Sequence, residues 1–170
     1  MLLRSLKTSE LTYKDIIQIC KLKNTHWQYG LKSQLDFFYK YIKPSDIHIC
    51  IFLKNNLIGY NCLRTRNLFI AKKKSKYLLF DTLIISKNFR KKKIANLIMS
   101  FNNIIIRDKK LMAILFCNKK LLKFYSLFGW VKLKKDYLQN YKFSKEVMYF
   151  RDLKSNLKNF GQKKVTIFFK

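Results

Sequence analysis

Residues 80–130 read FDTLIISKNFRKKKIANLIMSFNNIIIRDKKLMAILFCNKKLLKFYSLFGW. Tyr77 to Ile85 is a nearly continuous apolar run, the pattern of a strand buried on both faces. Lys87-Asn88-Phe89-Arg90-Lys91-Lys92-Lys93 follows as a basic loop, and the apolar spacing then predicts a helix over Lys92–Arg107. Leu111–Cys117 reads as a second buried strand. Lys119–Phe128 reads as a second helix, closed by Gly129 as its C-cap. A basic turn at a helix N-terminus offers free N–H groups and the positive end of the helix dipole to a phosphate. Tyr125 adds an ionisable phenol to the same β-α-β-α unit.

Working outward, Leu2–Lys7 reads as a first strand. Thr12 is placed as the N-cap of a helix that runs to Lys23, and a second helix is expected over Ser33–Tyr41, ahead of Pro44. Ile47, Ile49 and Ile51 alternate with His48 and Cys50, as in a strand with one face half exposed. Lys54-Asn55-Asn56 is a turn, and Leu57–Arg66 returns as the second strand of a hairpin. Lys72-Lys73-Lys74-Ser75 breaks the pattern. Trp130–Leu133 and Glu146–Arg151 form a last strand pair. Val165–Phe169 in the tail leaves open a further strand, paired within the chain or with a second copy in a homodimer. The expected class is α/β, in one domain of 170 residues.

The composition narrows the function classes. The chain is 49% hydrophobic and 16% aromatic, with one Pro and four Gly, which excludes a disordered or collagen-like chain. No apolar run reaches the roughly 18 residues of a membrane span, and the N-terminus lacks a signal-peptide core, so a cytoplasmic protein is expected. Cys20, Cys50, Cys62 and Cys117 have no CxxC spacing, and neither histidine lies near Cys117, so no metal site is expected. The net charge of +28 suggests a nucleic-acid partner. However, only six of the 37 cations are Arg, and the lysines are scattered through nearly every segment. Lys, Ile, Asn, Phe and Tyr are enriched together, as an A/T-rich coding bias produces, so nucleic acid is not the expected partner.

Arg90-Lys91-Lys92-Lys93-Ile94-Ala95, Asn118, Tyr125 and Gly129-Trp130 resemble the GNAT superfamily of acyl-CoA N-acyltransferases. That family carries an R/Q-x-x-G-x-G/A loop between a strand and a helix. Arg90 and Ala95 fit its ends, and Lys93 stands where the family commonly has Gly. Many members also have an Asn seven residues before a Tyr, with Gly and an aromatic four and five residues beyond. The resemblance covers residues 2–151 in layout and Asp81–Trp130 in motifs. It implies a mixed, mostly antiparallel central sheet with splayed middle strands and helices on both faces.

The resemblance also implies roles. The backbone of Leu83, Ile84 and Ile85 would bind acetyl-CoA and stabilise an oxyanion. Arg90 to Ala95 would hold the cofactor phosphates. Asn118 would lie near the pantetheine arm, with Phe124 beside it. Tyr125 would protonate the leaving thiolate. Asp81, nine residues before Arg90, would take a proton from the acceptor amine; a structural ion pair is the competing explanation for a carboxylate in this apolar strand. His48 is a second base candidate. Trp27 and Tyr29 fall in the region that shapes the acceptor pocket. The implied activity is acetyl transfer from acetyl-CoA to a primary amine of a small molecule, such as an amino sugar. A catalytically weakened acyl-CoA-binding or interaction protein of the same fold, and a basic nucleic-acid-binding module, are the competing readings.

Overall fold

In a computed structural model, residues 1–70, 73–134, 137–138, 144–150 and 165–167 are described. The elements follow in the order β1 (Leu2–Lys7), α1 (Tyr13–Asn24), α2 (Leu31–Tyr41), β2 (Ile47–Leu53), β3 (Asn56–Ile70), β4 (Lys73–Ile85), α3 (Ile94–Asp108), β5 (Ala113–Cys117), α4 (Leu122–Ser126), β6 (Val131–Lys132), β7 (Glu146–Phe150) and β8 (Val165–Ile167). Strands hydrogen-bond in the order β1-β2-β3-β4-β5-β7-β6, with β8 on β3. The β4–β5 pair is parallel, whereas β1–β2, β2–β3, β5–β7, β6–β7 and β3–β8 are antiparallel. This is the mixed, mostly antiparallel sheet expected. The β4–β5 register is short, from Leu78↔Ala113 to Phe80↔Leu115.

The chain forms two compact units, Met1–Arg64 with Asp81–Asn102, and Thr65–Phe80 with Asn103–Lys170. In the first, Thr12 caps α1 as expected. Its hydroxyl accepts from Asp15 N–H, and Asp15 Oδ2 accepts in return from Thr12 N–H, which satisfies donors at the helix start. Lys54 and Asn55 take φ of 47° and 64°, the two left-handed residues of a type I′ turn, and this fixes the β2–β3 hairpin. Ile16, Ile19, Cys20 and Phe38 from α1 and α2 pack on Cys50, Tyr60, Cys62 and Ile84. The opposite pleat of β3 meets α3. There a Cβ on Gly59 would lie 3.0 Å from Ile94 and 3.1 Å from Ile98, so only glycine admits that helix without a shift. Helices thus cover both faces of this part of the sheet.

In the second unit, Leu68, Tyr77, Leu79, Met112, Ile114, Leu133, Val147 and Tyr149 form the core. Burial of each large apolar side chain contributes about 1.5–3 kcal/mol.

Several boundaries differ from the sequence reading. β3 runs on to Ile70 and β4 begins at Lys73, so the lysine run does not end the pattern. Lysine stems are compatible with a strand when their ammonium groups reach water. α3 starts at Ile94 because the two preceding turn positions are left-handed. The helix expected over Lys119–Phe128 divides into a 3₁₀ turn, Lys119–Leu121, and the short α4. In the tail, Val165–Ile167 pairs with Leu68–Ile70 of β3; Arg151, Phe168 and Phe169 lie outside the described residues. No helix among the described residues is long and apolar enough to cross a membrane.

Candidate active site

In the first unit the candidate residues follow one another along β4, the turn and α3. β4 breaks its regular course at Thr82, whose φ is +58°. A β-branched residue rarely adopts this conformation, so the surroundings must hold it. Asn61 does so from β3, as its Nδ2 donates to Asp81 O at 3.0 Å and Thr82 O at 3.4 Å. Beyond the break, Ile84 is buried in the α1–α2 core, while Leu83 and Ile85 are half-buried.

The 3₁₀ turn Lys87–Phe89 then leads to Arg90, whose Nε donates to Ile85 O at 3.3 Å. Lys91 and Lys93 take φ of +62° and +58°. The backbone therefore adopts at Lys93 the conformation for which glycine is usually chosen, at a cost of about 1–2 kcal/mol for an L-residue. Arg90, Lys91, Lys92 and Lys93 are all exposed at the start of α3, Ile94 is buried and Ala95 is half-buried. Exposed cations at the N-terminus of a 15-residue helix suit a polyanion such as a diphosphate.

Asp81 is ion-paired. Arg64 Nη1 donates to its Oδ2 at 2.7 Å, and Arg64 Nη2 donates to Tyr41 O at 3.0 Å. The Thr82 hydroxyl donates to Asp81 Oδ1 at 3.2 Å. The structural ion pair considered for Asp81 is therefore present, and its side chain keeps 30% of its surface open.

His48 corrects the sequence reading. It is fully buried rather than half exposed, with Nε2 2.8 Å from the Thr8 hydroxyl and Nδ1 2.8 Å from the Tyr60 hydroxyl. Burial pushes its pKa down to about 4, so it is neutral at pH 7. A buried ring with both nitrogens engaged is not placed to touch an acceptor. Trp27 is half-buried against the α1–α2 core, and its carbonyl accepts from Gln34 Nε2 at 2.8 Å. Tyr29 is exposed.

In the second unit, the exposed Asn118 caps the 3₁₀ turn before α4, with Oδ1 accepting from Lys120 N–H at 3.3 Å. Tyr125 is buried. Its ring meets Phe80 edge-on at 6.0 Å and Phe124 at 5.2 Å between centroids. Burial, the larger cause, and the nearby Cys117 push the phenol up to about 12, so it remains a proton donor at neutral pH. Gly129 takes φ of +80° at the bend that follows. Asn103 fixes this bend, since its Nδ2 donates to Phe128 O at 2.8 Å and its Oδ1 accepts from Trp130 Nε1 at 3.2 Å.

Sequence reasoning missed Arg64, Lys23, Asn61 and Asn103. Asn103, a polar residue among the apolar positions of α3, was visible as an exception. Arg64 and Asp81 lie at nearly matching distances from the β3–β4 connection, so a hairpin register would have brought them together.

No protein-family model matches the chain, and no curated protein matches it by sequence. Solved structures do. The GNAT family N-acetyltransferase YhbS from Escherichia coli, in complex with CoA, aligns over 98% of this chain and 89% of its own, with a TM-score of 0.72 and 13% identity. Escherichia coli ElaA aligns over 87% and 97%, with a TM-score of 0.67 and 15% identity. An aminoglycoside 6'-N-acetyltransferase complexed with coenzyme A aligns over 88% and 94%, with a TM-score of 0.61 and 12% identity. By this likeness over nearly its whole length, the chain has the fold of the GNAT superfamily of acyl-CoA N-acyltransferases.

Proposed function

We propose that this protein is an N-acetyltransferase that moves an acetyl group from acetyl-CoA to a primary amine of a small molecule. The observation that carries the reading is the likeness in fold to YhbS, crystallised with CoA, over 98% of the chain. Arg90 and Lys91–Lys93 supply exposed cations for the phosphates, with the first turn of α3 at Ile94-Ala95 adding free N–H groups. The backbone of Leu83–Ile85 supplies N–H and C=O groups for the amide-bearing arm and the acyl carbonyl. Asn118 keeps its amide nitrogen for the same arm, and Phe124 offers an apolar ring.

When bound, acetyl-CoA supplies an acetyl group activated as a thioester. Asp81 receives one proton from the acceptor ammonium at Oδ1, the oxygen not held by Arg64. The amine nitrogen then bonds to the acyl carbon, the C–S bond breaks, and its electron pair leaves on sulfur. Tyr125 gives that sulfur a proton and recovers one from the new amide nitrogen. The cytoplasm is the compartment this reading implies. The amine class named at this level is broad, and an amino sugar is one member of it.

Two measurements test the reading. Calorimetric titration of the full chain with acetyl-CoA is expected to give saturable binding, and its absence would remove the acetyltransferase reading. Tyr125→Phe is expected to lower kcat by about 100-fold or more while leaving acetyl-CoA binding in place. Unchanged turnover would strip Tyr125 of its role.

A further inference from the structure

Lysine is abundant in this chain, and among the described residues Lys23 is the only buried one. A coding bias that scatters lysines over a surface does not explain a buried one. Lys23 stands in the last turn of α1 and is 8% exposed. Its ammonium lies 4.6 Å from the centroid of the Phe37 ring, and the Arg64 guanidinium carbon lies 5.7 Å from the same centroid. Two buried cations thus converge on one ring.

Their situations differ. Arg64 bonds to Asp81 and to the Tyr41 carbonyl, with Asp46 3.9 Å from Nε. Lys23 has no oxygen within hydrogen-bond or ion-pair distance among the described residues; the Phe37 face is its one close partner. The Lys23 stem is buried, but its nitrogen is not among the fully enclosed polar atoms, so the ammonium keeps contact with solvent and has donors to offer a ligand. Burial, the largest cause, holds the Lys23 pKa below its ordinary value; the charge of Asp81 works against this and that of Arg64 adds to it. Around this cluster Phe37 and Tyr41 are 37% and 41% exposed, so a ligand can reach it from solvent.

We propose that Lys23, beside Arg64, receives an anionic group, carboxylate or phosphate, carried by the acceptor amine. The acceptor is then a zwitterion, with its ammonium at Asp81 and its anionic oxygens at Lys23. This rests on the acetyltransferase reading for the amine, while the anion subsite itself is testable without turnover.

The direct experiment is NMR of the full chain with labelled lysines, in which the Lys23 side-chain signal is identified by its loss in Lys23→Gln. Methyl phosphate and acetate are titrated separately. One of them is expected to shift the Lys23 signal saturably, at about tenfold lower concentration than it shifts exposed Lys21. A phosphate response names phosphorylated amines, and an acetate response names amino acids. A Lys23 signal that moves no more than that of Lys21 with either anion overturns the proposal.

A second arm measures kcat/KM for paired amines, glucosamine with glucosamine 6-phosphate and 2-phenylethylamine with phenylalanine. The anionic member is expected to lead by about tenfold or more, and this ratio is expected to collapse in Lys23→Gln. A preference that survives Lys23→Gln, or equal rates within each pair, overturns the proposal. A saturable Lys23 response with no acetylation of any amine would overturn the transfer reading and leave the anion subsite standing.

Discussion

His48 and Lys23 are both buried in the first unit, and they are accommodated in opposite ways. His48 belongs to a closed row. One proton arrangement satisfies all of it, with Tyr60 O–H donating to His48 Nδ1, His48 Nε2–H donating to the Thr8 hydroxyl, and that hydroxyl donating to the Asp46 carbonyl. Lys23 belongs to an open cluster. Arg64 and Asp81 bond to each other there, and the lysine beside them has no oxygen partner among the described residues. A closed row holds strands in place. An open cluster has a valence left for something the chain does not supply.

The sharpest way to break this comparison is Arg64→Met. Fully buried Asp46 and part-buried Asp81 would then lose their cation, and stability is expected to fall by about 3 kcal/mol in chemical denaturation at pH 7. A loss below about 1 kcal/mol would mean that the cluster is not an electrostatic unit.

The closed row is tested by acid. The folded pKa of His48 is depressed to about 4 from an ordinary 6.5, so the unfolded chain binds its proton first. The stability contributed by neutral His48 is complete above about pH 6.5. It is lost as pH falls toward 4, by roughly 3 kcal/mol in all. His48→Gln is expected to flatten that part of the stability–pH curve. A curve equally steep in the variant would assign the loss to other groups.

The smallest effect is expected from Lys23→Met. Removing an ammonium that has no oxygen partner leaves stability unchanged or raises it by up to about 1 kcal/mol, as replacement of buried charges by apolar groups often does. A large loss would show that Lys23 is a structural member of its cluster, as His48 is of its own.

The same contrast explains what was legible in the sequence. Local rules carried far. The Thr12 cap, the Lys54-Asn55 turn, the two buried strands and the Gly129 bend each depend on residues a few positions apart. The spacing of Asn118, Tyr125 and Gly129-Trp130 was readable for the same reason. His48 was misread as half exposed because its partners, Thr8 and Tyr60, lie 40 and 12 residues away. Alternation along β2 could not reveal that its second face is also covered. Lys93 is a different case. The sequence indicates which residue types usually occupy a left-handed position, but a folded chain can hold lysine there at modest cost.

The four cysteines give this protein a practical property. Cys20, Cys50, Cys62 and Cys117 are all free and buried, and burial raises every one of their pKa values, Cys20 to about 11 and Cys50 to about 12. Thiolate is the reactive form, so thiol reagents are expected to react slowly with the folded protein. Under the proposed acetyl transfer, a disulfide dye added during turnover would count the thiol released from acetyl-CoA. Without substrate, the same dye would colour slowly until the fold opened, and its faster colour would then time the unfolding.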